Sequence, residues 1–67
     1  MIKISRLDAF SEIIKATENN ETNKANQMMA IVAKSIENDK KNNTFSEYIE
    51  LRTKKEKNLF KDIIKHI

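Results

Sequence analysis

Residues 23–38, NKANQMMAIVAKSIEN, settle which fold to expect. Ala25, Met28, Met29, Val32, Ser35 and Ile36 recur at steps of three and four, which places them on one face of an α-helix, and Ile31 widens that face. Lys24, Gln27, Lys34, Glu37 and Asn38 take the other face. Ala30, Ala33 and Ser35 keep the rod slim, so other helices can approach it closely.

Toward the N-terminus, Ser5 with Asp8 three residues on reads as a helix cap, a carboxylate variant of the capping box. A first helix is expected over residues 6–18, with Leu7, Phe10, Ile13 and Ile14 as its buried stripe. The connection over residues 18–22 is short, so this helix and the second, over residues 22–40, should be antiparallel neighbours. Glu21 suits the positive end of the second helix dipole, and Lys40 and Lys41 suit its negative end. Glycine is absent, and the pairs Asn19-Asn20 and Asn42-Asn43 stand where left-handed helix ends are wanted; asparagine tolerates that conformation next best. Ile2 and Ile4 alternate with polar residues, but a lone strand would have no partner. This segment reads as a lead-in that packs one isoleucine on the bundle.

Toward the C-terminus, Thr44-Phe45-Ser46-Glu47 has the form of a capping box and predicts a third helix over residues 45–53. Phe45, Tyr48, Ile49 and Leu51 would point inward or sit half-buried, with the Tyr48 hydroxyl at the rim. Two readings are open beyond it. The apolar period runs on through Leu59, Phe60, Ile63, Ile64 and Ile67, which favours one long helix. Thr53 and Glu56 form a second capping box, and residues 52–58 hold no apolar side chain, which favours a break there and a fourth helix over residues 57–66. We take the break. The expected architecture is all-α: a bundle of three to four short helices, an antiparallel hairpin plus a C-terminal amphipathic helix.

Sixty-seven residues make one domain, residues 1–67. A chain this short buries only ~60% of the surface its unfolded form exposes. It has no cysteine, so no disulfide adds stability. Glycine and proline are both absent, which argues against hairpins, glycine-rich phosphate loops and β-rich folds. The formal charge of +3 is uneven: residues 1–51 carry seven Lys/Arg against eight Asp/Glu, residues 52–67 six against two. No apolar run approaches the ~20 residues of a membrane span, and MIKISR lacks the apolar segment of a signal peptide. A cytoplasmic location is the expectation. The pattern stops on Ile67, which points to a chain continued elsewhere or to a face that docks on a partner.

Little in the chain suggests chemistry. His66 is the one histidine, next to the end, with no cysteine or second histidine to complete a zinc site. The acidic pairs Glu18/Glu21, Glu37/Asp39 and Glu47/Glu50 lie among lysines and read as solvated surface. Ser5, Ser11, Ser35 and Ser46 lack a base at helical spacing. We expect no enzyme, no cofactor and no metal. Met28-Met29 reads as core rather than as an adaptable groove. Arg52, Lys54, Lys55, Lys57, Lys61 and Lys65 form the one basic segment and are the candidate partner-binding residues. With only two arginines in the chain, readout of nucleic-acid bases is poorly served.

One order of features is familiar. IIKATENN ends a helix, A-x-x-M-x-x-I-V-A-K follows on Ala25, Met28, Ile31, Val32, Ala33 and Lys34, and a polar connection leads to FSEYIELR, residues 45–52. Over residues 9–54 this resembles the small helical N-terminal domain of a group of bacterial AAA+ ATPases; tetratricopeptide-like and MIT-like hairpins share parts of the pattern. The resemblance implies recruitment of substrates or partners to an ATPase whose nucleotide chemistry lies outside this chain. The alternatives are a free-standing basic helical protein of phage or plasmid type, binding a protein or nucleic acid through its C-terminal helix, and a homodimer that buries its last helix through Phe60 and Ile64.

Overall fold

The computed structural model describes residues 2–65. In order, the elements are β1 (Ile2–Ser5), α1 (Arg6–Glu18), α2 (Thr22–Lys41), β2 (Tyr48–Leu51), α3 (Lys54–Leu59) and α4 (Lys61–Ile64). The helical hairpin follows the sequence closely: α1 has the expected bounds and α2 runs one residue longer. The Ser5 side chain accepts the Asp8 amide at 3.0 Å, as its capping role requires.

Both helices end in the same way. Asn20 and Asn43 adopt positive φ, 61° and 56°. The Glu21 amide reaches back to the Ala16 carbonyl at 2.8 Å and the Asn20 amide to Thr17 at 3.1 Å. At the end of α2, the Thr44 amide bonds the Asp39 carbonyl at 2.9 Å and the Asn43 amide bonds Lys40 at 3.4 Å. These are paired Schellman closures with asparagine in the left-handed place that glycine usually takes.

The expectation of an all-α bundle fails at residues 45–53. That segment is not a helix: β2 pairs antiparallel with β1, in the register Ile2↔Leu51, Lys3↔Glu50, Ile4↔Ile49 and Ser5↔Tyr48. The fold is mostly helical with one two-stranded sheet. The segment YIEL alternates like a strand, with Ile49 and Leu51 buried and Tyr48 and Glu50 turned outward. Ile4 faces the core beside them. The lead-in therefore does have a partner, 45 residues downstream. Absence of glycine and proline is no obstacle, because these strands are joined through the whole helical hairpin and need no tight turn. A lone two-stranded ribbon is marginal in water, and here α1 and α2 cover its apolar face.

Thr44 and Glu47 do not cap a helix. Thr44 Oγ1 donates to the Asp39 carboxylate at 3.3 Å, and the Ser46 amide donates to the same carboxylate at 2.8 Å. The chain breaks at residues 52–53, and the second capping box forms: the Glu56 amide donates to Thr53 Oγ1, and the Thr53 amide to Glu56 Oε1, both at 3.1 Å. Two short helices come after it in place of the single one expected over residues 57–66, with Phe60 buried at their junction. His66 and Ile67 lie outside the described residues.

The core consists of Ile4, Ile49 and Leu51 from the sheet, Ala9, Ile13 and Ala16 from α1, Ala25, Met28 and Val32 from α2, and Phe60. Met28 and Val32 lie inside as expected; Ile36 and Met29 do not. On α1 the buried face is turned from the expected stripe. Leu7, Phe10 and Ile14 face water and the alanines face inward. Small side chains at Ala9 and Ala16 let α1 seat closely against the rest of the core, and that rotation carries the larger residues out.

Leu51→Ala should cost ~2–5 kcal/mol of stability as a buried large-to-small change, whereas Phe45→Ala should cost no more than ~1 kcal/mol. A helical segment with Phe45 inward would reverse that order, so urea unfolding of the two variants tests the sheet. Thr53→Ala should remove ~1 kcal/mol with the cap, a fall of roughly 4–8 °C in Tm.

Candidate protein-interaction site

One ion pair organises the end of the molecule where the strands meet the hairpin. Arg6 opens α1, and its Nη2 donates to Asp39 Oδ2 at 2.8 Å and to Ser35 Oγ at 2.9 Å on α2. The Arg6 amide donates to the Glu47 carbonyl at 2.8 Å, which extends the strand pairing into the helix. Asp39 in turn holds the 44–46 loop through the Ser46 amide and the Thr44 hydroxyl. Both charged side chains are largely covered, 12% and 16% exposed. Burial pushes the Asp39 carboxyl up, but the Ser46 amide, Arg6 and Thr44 together outweigh it and hold the group below its ordinary value.

Around this pair the structure leaves large apolar side chains in water. Phe45 lies over the Arg6 guanidinium, 6.0 Å from its carbon to the ring centre. Leu7 and Tyr48 flank it, and the three line one shallow groove of about 340 Å³ with Ser5, Arg6, Ser46 and Glu47. Leu7 is 82% exposed, Phe45 83% and Tyr48 54%. Isolated exposed apolar residues are ordinary, but a cluster of them on a rigidly tied loop is a feature of binding surfaces. Helical periodicity placed Leu7 and Phe45 inside. The signal that could have found them is Asp39, an acid just before a helix end that faces three unused polar donors in Thr44, Ser46 and Arg6.

The basic residues of the C-terminal segment are spread over several elements. Arg52, just after β2, is paired with Glu50 at 2.8 Å. Its hydrogen bond is the main cause that holds the Glu50 carboxyl below its ordinary value, and Glu50 raises Arg52 in return. Lys54 and Lys55 are exposed on α3, and Lys57 is half-buried there. Lys61 is exposed at the start of α4. Lys65 is exposed and lines an open groove with Asp8, Glu12 and Asp62. The Arg52 amide donates to Glu56 Oε1 at 2.9 Å, the first cause of a lowered Glu56 carboxyl. Among the described residues, no three acidic side chains are grouped so as to hold a metal ion, and no helix is long and apolar enough to cross a membrane. Comparison with known proteins found no matching family model, curated protein or solved structure.

Asp39→Asn should lower Tm, since the amide loses the charge that faces Arg6 and keeps only part of the hydrogen bonding. A carboxyl held below its ordinary value stabilises fully above that value and stops doing so as pH falls through the folded one. The difference in Tm between wild type and variant should therefore be full at neutral pH and shrink below about pH 4. Thermal melts at pH 7, 4 and 2.5 check it; a difference independent of pH would remove the charge from the account.

Proposed function

We propose that this protein is a non-catalytic protein-interaction module, with the groove of Leu7, Phe45 and Tyr48 as its docking site for an apolar segment of a partner protein. The observation that carries the reading is the exposure of those three side chains where α1, β2 and the 44–46 loop meet, with Phe45 on the loop that Asp39 anchors. Large, rigid aromatic groups supply contact area at small entropic cost, which makes them frequent anchors of recognition. Arg6 at the groove floor is already neutralised by Asp39, so the free charge at the rim is that of Glu47, exposed and acidic. A segment with an apolar side chain followed by a lysine or arginine matches that pattern. In the AAA+ reading, such docking would deliver a substrate or adaptor to an ATPase, and the reading frame would run on into a G-x-x-x-x-G-K-[ST] loop.

Binding of nucleic acid through the basic segment has less support. Arg52 is engaged by Glu50, Lys57 is half-buried and Lys65 shares an open groove with Asp8, Glu12 and Asp62.

A photo-reactive phenylalanine analogue at position 45 or 48, illuminated in cells that make the protein, tests the groove. The expected outcome is one and the same partner protein attached at both positions, absent from a probe at Lys34 and lost with Leu7→Asp. Equal attachment from position 34, or nucleic acid attached from probes at Lys54 and Lys57 with nothing at 45, would defeat the reading.

A further inference from the structure

A second apolar surface runs along the hairpin from Leu7 at the edge of the groove. A helix turns about 100° per residue. On α1, Asp8, Glu12 and Lys15 line the side toward α4, and Arg6 marks the side toward α2. Phe10 and Ile14 lie past Arg6, on the side away from α4. On α2, Lys34 is close enough to α3 for its charge to act on Glu56, and Ser35 and Asp39 face Arg6. Met29 and Ile36 lie on the side away from α3. The outer face of the hairpin, opposite the sheet, α3 and α4, thus carries Phe10, Ile14, Met29 and Ile36, all exposed, with Ile14 at 58%.

The arrangement has a symmetry of its own. The Arg6 bonds to Ser35 and Asp39 set the level of one antiparallel helix against the other. With a rise of about 1.5 Å per residue, Ile36 lies toward the open end, Phe10 beside Ala33 at the middle, and Ile14 beside Met29 toward the turn. Charge follows the same axis. Lys40 stands one turn beyond Ile36 at the open end, and Glu18 stands one turn beyond Ile14 at the turn end. Both are exposed and neither has an ion-pair partner among the described residues. Glu37, also at the open end, has Lys41 four residues on, a spacing that pairs charges on one helix.

We propose that this face binds a second copy of the chain through a two-fold axis near Phe10 and Ala33, forming a four-helix layer. A two-fold contact brings the same patch from both sides. Here it would lay Ile36 of one copy on Ile14 and Met29 of the other, and set Lys40 of each against Glu18 of its partner. Ala33 on α2 lets the rods approach closely. Four large side chains per copy stand together on this face, grouped rather than scattered. The expected dimer through Phe60 is a different contact, and Phe60 is consumed in the chain's own core.

Sedimentation equilibrium tests the contact. The wild-type chain should show twice its 7.8 kDa mass. Ile14→Glu combined with Met29→Glu should return it to a single mass with an unchanged far-UV helical signal. Lys40→Glu changes only an exposed charge and should weaken association about three- to tenfold, counting two symmetry-related pairs. Adding Glu18→Lys should restore it. A single-chain mass at about 1 mM, a dimer untouched by the Ile14/Met29 pair, or charge reversals without mutual rescue would overturn the proposal. It does not rest on the groove: failure of attachment at position 45 leaves the mass result standing, and a dimer broken by Phe45→Asp alone would assign the contact to the groove and refute this one.

Discussion

Arg6 and Asp39 hold the whole molecule in register. Arg6 belongs to the first turn of α1, directly after β1, and Asp39 to the last turns of α2. Their 2.8 Å pair sets the two helices antiparallel at a defined level. The same carboxylate takes the Ser46 amide, and so delivers residues 44–47 to the side of α1 where β1 waits for a partner. One acid thus ties together a helix pair and a strand pair. A planar guanidinium suits this duty, since a single Nη2 reaches both Ser35 and Asp39 while the main-chain amide reaches Glu47. The arrangement leaves Arg6 Nε buried without a partner, a local cost that the charged bonds around it offset.

With that corner fixed, the core needs little bulk. α1 offers two alanines and one isoleucine to the interior, and α2 an alanine, a methionine and a valine. The volume is made up by Ile4, Ile49, Leu51 and Phe60, which come from the sheet and from the junction of α3 and α4. The apolar residues left over are therefore on the outside, in two places with different character. The groove carries aromatic side chains beside a neutralised arginine, and the outer hairpin face carries mostly aliphatic ones between a basic and an acidic end. In both places the exposed apolar side chains stand together rather than singly.

The hairpin was legible because its signals are local. Ser5 and Asp8, the asparagine pairs and the three-and-four spacing around Met28 act within a few residues of one another, and each did in the structure what its chemistry allows. Thr53 and Glu56 belong to the same class. The failures of secondary structure are non-local. TFSE has the letters of a capping box, yet Thr44 and Ser46 found a stronger acceptor in Asp39, and Glu47 found Arg6 through its carbonyl. YIEL fits a strand or a buried helical turn, and a four-residue segment cannot choose without knowing its neighbour. The site was less legible still, because exposure of Leu7 and Phe45 depends on which way α1 is turned, and two alanines decide that.

Local chemistry along the chain was enough to place α1 and α2, to cap them, to fold them back on each other, and to break the chain before α3. Those outcomes depend on hydrogen bonds and side-chain spacings within one or two helical turns. The assembled fold was needed to settle that residues 48–51 extend rather than coil, that Ile2 and Ile4 have a partner, and which apolar residues remain in water. Each of these turns on a contact between residues some thirty to fifty positions apart, Arg6 with Asp39 and Ile4 with Ile49 above all, and the strength of such a contact is set by packing that no local window contains.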